Sequence, residues 1–513
     1  MNLSKFSCIT VLGAALGGCM VGPDYHRASA PVAPAFKEQP PDGWAPASPA
    51  DAAPKGDWWT AFDDPLIDQL EPQVAVSNQT VRQDYANYRQ AIAEVKVARA
   101  QLFPTIGLTG SVSRVGGSGY QGSGVTTTTG TGAGTSTTAG TTASRSSVTS
   151  ATLEGTASWT LDIWGQVRRL VEENTAIAQS DEALLANATL SEQTLLATTI
   201  IELRVADANI DLEEKTVTAY REALRITKAQ GVSGISATPP SAVITAQVAL
   251  ETAQANLIGL GVARAQYAHA IAVLVGRQPA DLDIPRGTTL PTLPRIPIGV
   301  PSTLLERRPD IAAAERSMKA QNAAIGVAVA AYYPLISLSA AGGFTQSPLN
   351  GLLHSANHIW SIGANGTETL FDFGERRAEV QAVRAGYEAT VASYRNTVLT
   401  AFEQVENDLS GLRILSEQAQ ALDTAVRDSI RGTDIALAEF KAGTADYTTV
   451  AQAQQVQLGN QQAALAVEES RLADAVALIG DLGGGWSTAE LHSPAHPKTL
   501  PPDPSQAAPA PAD

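Results

Sequence analysis

The sequence is poor in cysteine, in charge and in long apolar runs. Its 513 residues contain two cysteines, Cys8 and Cys19, and 17% of them are charged. Cys8 lies in the apolar stretch 6–18, which suits the core of a secretion signal and is too short to cross a bilayer as a helix. Removal of this leader leaves one cysteine, so an intrachain disulfide is excluded. Beyond the leader, no uninterrupted apolar run approaches roughly twenty residues.

Basic residues are also scarce, and catalytic motifs are missing. The chain has 35 Lys and Arg against 51 Asp and Glu, a net charge of −16, which argues against nucleic-acid binding. It has no Walker loop, no His-Glu-x-x-His and no Cys-x-x-Cys. Asp372-Phe373-Gly374 matches a kinase triplet without its partner motifs and is interpreted as a strand-to-helix turn. His354 and His358 share one loop, but neither a metal site nor an enzyme is predicted.

The start of the chain predicts a lipid anchor. Leu16-Gly17-Gly18-Cys19 resembles a bacterial lipobox, in which the cysteine is lipidated and becomes the first mature residue. We therefore predict a lipoprotein signal peptide over 1–18 and a covalent lipid on Cys19, with no other cofactor. The alternative is an ordinary signal peptide with a chance cysteine. Residues 19–56 are rich in Pro and Ala and are expected to be extended.

Helical periodicity covers most of the remaining chain. Helices are predicted over 57–102, 165–230, 241–275, 302–331, 374–441 and 447–479. In the helix from 374, apolar residues recur about every 3.5 positions, the spacing of a left-handed coiled coil. A helix of this size is on the order of 100 Å long, so it needs parallel neighbours and does not fold back into a compact core.

The second half of the sequence repeats the first. ARAQLFPTIGLTG (98–110) matches AVAAYYPLISLSA (328–340), including Pro104 and Pro334. The duplication predicts one repeat over 57–277, a Pro-rich linker over 278–301 and a second repeat over 302–486. The Pro- and Ala-rich tail 487–513 is expected to be disordered.

Each repeat holds two candidate strands, with hairpins predicted near 105–161 and 335–370. Their alternation suits a membrane barrel wall or a soluble hairpin. Four strands per chain cannot close a barrel, and an open sheet edge in lipid leaves backbone groups unpaired. If the strands lie in the membrane, several chains must therefore share one barrel. The Gly/Thr/Ser-rich segment 116–150 joins two strands and is interpreted as a mobile loop rather than an adhesive element.

These features together resemble the TolC-like outer-membrane factor family, in its lipoprotein branch (OprM/NodT-like) that serves RND-type efflux pumps. The resemblance rests on Cys19 with Val21-Gly22-Pro23-Asp24-Tyr25, on Trp58-Trp59, on GVPSTLLERRPDI (299–311), on HAIAVLVG (269–276) and on Gly483-Gly484-Gly485-Trp486. It implies a mainly α fold with a small β part, built as a homotrimer. The trimer would form a periplasmic α-barrel of coiled-coil helices and a shared 12-stranded transmembrane β-barrel, four strands per chain.

The resemblance also implies a function. The trimer would be a passive exit duct in the outer membrane of a Gram-negative bacterium, lipid-anchored and extending into the periplasm. It would receive small molecules from an inner-membrane RND transporter through a periplasmic adaptor protein. Two alternatives stay open: a type I protein-secretion duct, and a surface structural or adhesive lipoprotein.

In the family the pore narrows at the periplasmic turns between helices. The resemblance therefore assigns the constriction to the second turn, at Asp446, Thr448, Thr449 and Gln452, where the family's acidic ring is missing or is supplied by Asp446. Adaptor contacts are assigned to the two hairpin tips, at Gly231, Ser241, Gly443 and Thr444. Ordinary turn residues are the alternative for both sets. Arg307, Arg308 and Asp310 are interpreted as a cap and ion pair at a helix start.

Overall fold

The computed structural model describes residues 20–38, 57–118, 145–233, 240–296, 307–346 and 352–499. Cys19, the leader 1–18 and the middle of the Gly/Thr/Ser-rich segment lie outside these ranges, as do residues 234–239 of the first predicted turn. The described residues form seven α-helices and four β-strands. The helices are α1 (Pro65–Ser77), α2 (Gln79–Ala100), α3 (Gln166–Ser233), α4 (Pro240–Leu274), α5 (Pro309–Ala330), α6 (Glu375–Lys441) and α7 (Tyr447–Asp481).

The chain divides into two compact units. The strand unit comprises Met1–Asp24, Lys96–Glu172 and Ala323–Val383, and the helical unit comprises Tyr25–Val95, Glu173–Asn322 and Arg384–Asp513. The strand unit contains β1 (Thr105–Ser118), β2 (Arg145–Leu161), β3 (Leu335–Gln346) and β4 (His358–Thr367). All four strands pair antiparallel in chain order, β1-β2-β3-β4. Both predicted hairpins are therefore present, and the β2–β3 pairing joins the two repeats.

The helical unit holds the largest apolar core. This core begins with Trp58, Trp59 and Phe62 in a short 3-10 helix and continues with buried residues of α1, α2, α3, α4, α6 and α7. The coiled-coil stripe predicted on α6 supplies part of it, because Val405, Leu409 and Leu412 are fully buried. The long helices thus bury a narrow apolar seam, as the spacing near 3.5 residues predicts.

Glycines allow close packing along α6. A Cβ on Gly386 would lie 2.7 Å from the Gln321 amide nitrogen, and one on Gly411 would overlap a carboxylate oxygen of Asp474. Gly432 differs, since a Cβ there meets nothing within 4 Å in the described part of this chain. At Gly386 and Gly411 the neighbouring atom is the end of a flexible side chain, so these glycines permit close packing and a larger residue would displace that side chain.

The single helix predicted over 57–102 is wrong in detail. It is divided into the 3-10 helix Trp58–Phe62, α1 and α2, and Asn78 stands between α1 and α2 in an extended conformation. The Asn78 Oδ1 accepts hydrogen bonds from the amides of Thr80 and Val81, and its Nδ2 donates to the carbonyl of Leu274. This side chain satisfies the first amides of α2 and so favours a new helix start.

The disordered tail predicted over 487–513 is also wrong for residues 487–499. Ser487 caps a 3-10 turn at Thr488–Glu490, and Trp486 and Leu491 pack against Ala183 and the buried start of α5. The amide of His492 donates to a Glu182 carboxylate oxygen at 2.9 Å. Composition alone misses this segment, because its few apolar and polar anchors act through long-range contacts. Residues 500–513 lie outside the described ranges.

One described helix is apolar enough, by length and average composition, to cross a membrane. This helix is α4, with a mean hydropathy of 1.4 over its most apolar window. Polar residues such as Glu251 and Arg264 interrupt it, which is why no continuous apolar run marks it in the sequence. Four exposed apolar side chains follow one face at helical spacing: Ile244, Val248, Ile258 and Val262. In one chain, α4 therefore presents an apolar stripe to solvent.

Candidate functional site

The four-stranded sheet has one apolar and one polar face. The apolar face carries Ile106, Leu108, Val112, Leu153, Ala157, Trp159, Ile336, Leu338, Ala340, Trp360, Ile362 and Ala364, which the strand register places side by side. The opposite face carries Thr105, Thr109, Ser111, Ser113, Thr152, Glu154, Thr156, Ser158, Ser337, Ser339, Thr345, Ser361, Asn365 and Thr367. This division matches a sheet with lipid on one side and water on the other.

The apolar side chains of this sheet lack a cover within the described part of the chain. Ile106 is 83% exposed and Ile362 is 79% exposed. Hydroxyl pairs cross the polar face, with 2.8 Å between the side-chain oxygens of Thr105 and Ser158. A sheet with its apolar side chains outward and its hydroxyls paired on the other face is unsuited to a soluble core and suited to a bilayer.

The two outer strands each have one partner. In the order β1-β2-β3-β4, strands β1 and β4 pair on one side only among the described residues. An amide or carbonyl that enters an apolar medium without a hydrogen-bond partner costs roughly 2–7 kcal/mol. The sheet is therefore incomplete as a membrane element in a single chain.

The segment that follows Cys19 is bound in the strand unit. Its main anchor is Arg169, whose side chain is 2% exposed. The Arg169 guanidinium donates to the carbonyl of Val21 at 3.1 Å and to an Asp24 carboxylate oxygen at 2.9 Å, and it forms a second ion pair with Glu172. The amide of Val21 donates to the carbonyl of Trp164 at 3.1 Å. Residues 20–24 therefore have a specific seat, and we call this set of contacts the anchor seat.

The sequence gives no local signal for the anchor seat. Val21, Gly22 and Asp24 belong to the amino-terminal motif, but Arg169 lies 145 positions beyond Asp24 in the chain. A buried arginine in a long helix follows from tertiary contacts alone. Cys19 itself lies outside the described residues, so its lipidation stays a prediction.

The second helical turn joins α6 to α7 where the sequence predicts it. Gly443 has a φ of +76°, and its amide donates to the carbonyl of Phe440. The amide and the hydroxyl of Thr444 both donate to the carbonyl of Glu439 at 3.0 Å. Gly443 and Thr444 are both exposed. They also cap the end of α6, since a glycine with positive φ commonly ends a helix in this way.

The predicted constriction residues share the exposed face of the start of α7. Asp446, Thr448, Thr449 and Gln452 are all exposed, and Asp446 is the last residue before the helix. The next acidic residue along α7 is Glu468. This tip face is therefore neutral and polar apart from one aspartate.

Behind this face, two buried aromatic side chains pack against each other. Phe440 and Tyr447 are 2% exposed, and their ring centroids lie 6.1 Å apart in an edge contact. Burial raises the pKa of Tyr447 to about 12. They pack in one cluster with buried residues of α3 and α4, including Leu224 and Ala246. Side chains of four helices therefore pack together at this turn.

The first turn is described only at its ends. The Gln230 side-chain amide donates to the carbonyl of Phe440 at 3.1 Å, so the end of α3 contacts the end of α6. Ser241 is exposed in the first turn of α4, and its carbonyl accepts from the Thr245 hydroxyl. Gly231 lies in the last turn of α3, and residues 234–239 lie outside the described ranges.

Arg308 is the centre of a buried ion-pair cluster. Its guanidinium donates to Asp310 at 2.7 Å, to Asp481 at 3.1 Å and to the Gln404 side chain at 2.9 Å. Asp310 also accepts from the amide of Ile311. The pair at the start of α5 is therefore structural, as predicted, and it also joins α5 to α6 and α7, which the sequence does not reveal.

A second carboxyl group lies beside this cluster. Burial raises the pKa of Asp408 to about 8, and the negative charges of Asp481 and Asp474 add to the effect. Burial also raises the pKa of Asp481, while Arg308 opposes that shift. Asp408 and Asp481 hydrogen-bond through their side chains, so the pair holds a proton near neutral pH.

The described part of the chain holds no metal centre. No group of three or more His, Cys, Asp or Glu side chains is arranged to hold a metal ion among those residues. His358 lies against the ring of Phe344 in an edge contact at 5.7 Å. Asp372-Phe373-Gly374 forms the predicted turn after β4, with positive φ at Phe373 and Gly374.

Comparisons with known proteins agree with this arrangement. The family model described as outer membrane efflux protein matches twice, over residues 70–277 and 300–484. The chain is 30% identical over 484 residues to two proteins of Pseudomonas putida, the antibiotic efflux pump outer membrane protein ArpC and the toluene efflux pump outer membrane protein TtgC. Each alignment covers 93% of this chain and 95% of the relative.

A solved structure shows the same similarity in three dimensions. The outer-membrane channel OprN aligns with a TM-score of 0.79 and 28% identity, over 91% of this chain and 100% of that one. The two family matches also confirm the internal duplication. The chain belongs to the outer membrane efflux protein family.

Proposed function

We propose that three copies of this chain form the outer-membrane exit duct of a tripartite efflux system in a Gram-negative bacterium. The observation that carries the proposal is the amphipathic four-stranded sheet, with its apolar face exposed and both outer strands open. Membership in the outer membrane efflux protein family supports it. The duct conducts passively, so it needs no catalytic residue and no cofactor besides the lipid on Cys19.

A homotrimer completes the sheet. Three copies supply twelve strands, which is above the eight strands of the smallest membrane barrels, whereas one copy supplies four. Pairing β4 of one copy with β1 of the next removes every open edge from the lipid. The polar face then lines the water-filled interior and the apolar face meets the bilayer.

The apolar stripe on α4 supports the same assembly. Ile258 is 78% exposed and Ile244 is 63% exposed, although the helix belongs to a unit with an extensive core. At about 25 cal/mol per Å² of apolar area, covering such a stripe contributes several kcal/mol per copy. A helix of a neighbouring copy is the proposed cover, since long coiled-coil helices need parallel partners.

The lipid on Cys19 would hold each copy at the membrane. The anchor seat begins at Met20, so at most one residue separates the acyl group from a segment that is bound to the strand unit. The sheet and the lipid would therefore enter the same membrane. Met20 follows the cysteine, where an aspartate would favour inner-membrane retention, and this agrees with an outer-membrane location.

The substrates and partners follow from the relatives. Proteins named for antibiotic and toluene efflux indicate small molecules as the cargo class. A periplasmic adaptor would bind the helical tips at Gly231, Ser241, Gly443 and Thr444, and an inner-membrane RND transporter would load the duct. These names also favour efflux over the type I protein-secretion duct and over an adhesive surface lipoprotein.

Loss of the gene tests the proposal. A deletion strain should accumulate a lipophilic fluorescent dye and become sensitive to the pump's substrates, and the full-length gene should restore both phenotypes. Secretion of proteins into the medium should stay unchanged, which separates efflux from protein export. A strain that shows normal dye efflux and loses surface adhesion would contradict the proposal.

A further inference from the structure

An aromatic contact joins the two repeats at one rim of the sheet. The ring of Trp164, in the turn after β2, stacks on the ring of Tyr333, just before β3, with centroids 4.8 Å apart and an interplanar angle of 26°. The Trp164 indole nitrogen also donates to the carbonyl of Pro334 at 2.9 Å. This contact lies beside the β2–β3 pairing, which is the junction between repeat one and repeat two.

The duplication gives each of these residues a counterpart. Tyr333 precedes Pro334 at the start of β3, and Phe103 precedes Pro104 at the start of β1. Trp164 precedes Gly165, and Phe373 precedes Gly374, two glycines with φ of +82° and +94°. The counterpart of the Trp164–Tyr333 contact is therefore a contact between Phe373 and Phe103.

The strand register supports this correspondence without a gap. Thr105 lies opposite Ser158 in the first hairpin, and Leu335 lies opposite Thr367 in the second. Gly165 comes seven residues after Ser158, and Gly374 comes seven residues after Thr367. The two turns therefore place Trp164 and Phe373 at equal distances along the chain from the paired strands.

The two counterparts do not meet within one chain. Phe103 adjoins β1 and Phe373 adjoins β4, and these strands form opposite edges of the sheet. Phe373 is 91% exposed and Phe103 is 68% exposed. Phe371 contacts the Phe373 ring edge-on, with centroids 4.5 Å apart, but it is itself 73% exposed. Each chain thus presents one half of the contact at each edge.

We propose that Phe373 of one copy stacks on Phe103 of the neighbouring copy and closes the junction between copies. The occupant of each exposed half is a second copy of this chain, because the junction between repeats within the chain is its template. We call this contact the Phe373–Phe103 clasp. It rests on the proposed trimer and names residues that hold the trimer together.

The same correspondence fixes the register of β4 against the neighbouring copy's β1. Within the chain, Leu161 of β2 lies opposite Ile336 of β3, and the equivalent pair between copies is Leu370 opposite Ile106. In the same way, the pair Gly155 and Gly342 corresponds to Ala364 opposite Val112. Ala364 and Val112 both belong to the apolar face, and Leu370, which lies beyond the end of β4, and Ile106 are both apolar and exposed. A register shifted by one residue would turn one strand's apolar side chains to the polar face, so the alignment is consistent with one continuous barrel wall.

The clasp differs from its template in backbone conformation and in hydrogen bonding. Phe373 has a φ of +51°, whereas the φ of Trp164 is not positive. Phenylalanine has no indole nitrogen, so the hydrogen bond that Trp164 donates to Pro334 has no equivalent at Phe373. The clasp holds by ring stacking alone. Replacing Phe373 with Trp supplies the missing donor and should strengthen the contact with the neighbouring copy's Pro104 carbonyl.

Cysteine cross-linking of the full-length lipidated protein tests the clasp. Phe103→Cys and Phe373→Cys are introduced into the same chain, where Cys19 is the only mature cysteine and is blocked by lipid. A short bismaleimide should convert the native trimer into covalent trimers on a denaturing gel, and neither single variant should do so. The matched control is Trp164→Cys with Tyr333→Cys, which should cross-link within one chain and leave it monomeric on the same gel.

The outcomes separate the clasp from the trimer. Native trimers that give no intermolecular product, while the control pair reacts, would overturn the clasp and leave the proposed function standing. Absence of native trimers would overturn both. A second measurement is the rate at which the trimer dissociates in detergent. Phe103→Ala and Phe373→Ala should each increase this rate by about 2- to 10-fold per contact. The double variant should dissociate no faster than either single variant, because both substitutions remove the same contact. Additive effects would contradict the clasp, and slower dissociation of Phe373→Trp would support it.

Discussion

Gly22 lies directly against Gly326 in the anchor seat. A Cβ on Gly22 would overlap the Cα of Gly326, and Gly22 has a φ of +93°. Gly326 in turn faces Arg169, whose side-chain carbons lie 2.8 Å from where a Cβ of residue 326 would be. Two glycines and one buried arginine therefore set how closely the segment after Cys19 approaches the strand unit.

Gly22→Ala should release this segment. The backbone strain alone costs about 1–3 kcal/mol, and the overlap with Gly326 adds to it. We expect faster proteolysis near residue 22 and a lower melting temperature of the purified protein. Gly366→Ala is the control, because a Cβ there meets no described atom within 4 Å. Equal effects of the two substitutions would argue against the anchor seat.

Glu71 predicts an unusual pH dependence of stability. It is fully buried in α1, its two carboxyl oxygens have no hydrogen-bond partner among the described residues, and burial raises its pKa to about 9. The folded state therefore binds a proton that the unfolded state releases near pH 4.5. Stability should fall as pH rises from about 4.5 towards 9.

Glu71→Gln should remove this loss of stability at higher pH. The gain in unfolding free energy at pH 7 has an upper bound on the order of 3 kcal/mol, because each pKa unit is worth about 1.4 kcal/mol. Denaturant titrations of both proteins at pH 5, 7 and 8.5 measure it. The difference in unfolding free energy between Glu71→Gln and the unmodified protein should increase with pH. Asp68→Asn, at an exposed position on the same helix, should change little with pH. A difference that does not change with pH would contradict a protonated Glu71.

The Arg308 cluster predicts opposite effects for its positive and negative members. Arg308→Gln leaves Asp310 and Asp481 without their guanidinium partner and should cost about 3–5 kcal/mol. Asp408→Asn removes a carboxyl whose raised pKa makes the folded protein lose stability as pH rises from about 4 to 8. It should therefore stabilise the protein above pH 7. Thermal melts across pH 5–9 measure both, and destabilisation by Asp408→Asn throughout this range would refute the shared-proton account.

The second turn predicts how charge at the tip alters ion selectivity. Thr449→Asp places three carboxylates at one level of the proposed pore and should shift the reversal potential in a salt gradient towards cations. Asp446→Asn should shift it the other way, by removing the acidic charge at the start of α7. Ser470→Asp, exposed further along α7, is the control. If Ser470→Asp shifts the reversal potential as much as Thr449→Asp does, the constriction lies elsewhere.

The elements that depend on local pattern were predictable from the sequence. The α6 stripe, the two hairpins and the turn at Gly443 follow from side-chain period and glycine placement, and the structure confirms them. Asn78 is a partial exception, because its capping role can be recognised only once the helix is known to break there. The duplication was visible because both strand starts follow a proline, at Pro104 and Pro334.

Long-range polar contacts were not predictable. Arg169 meets Asp24, and Asp408 meets Asp481, across chain separations that no sequence period encodes. Glu71 resembles any other helix carboxylate until its burial is known. The docked segment 487–499 has the composition of a disordered tail, and a few specific contacts outweigh that composition.

Single-channel conductance in a planar lipid bilayer tests the central claim, that three copies share one water-filled duct. The purified full-length protein is separated into its native oligomeric forms, and each is added to the bilayer at equal mass. We expect steady conductance steps from the trimer and none from the monomer. Equal conductance from the monomer, or a protein that inserts into the bilayer and never forms trimers, would contradict it.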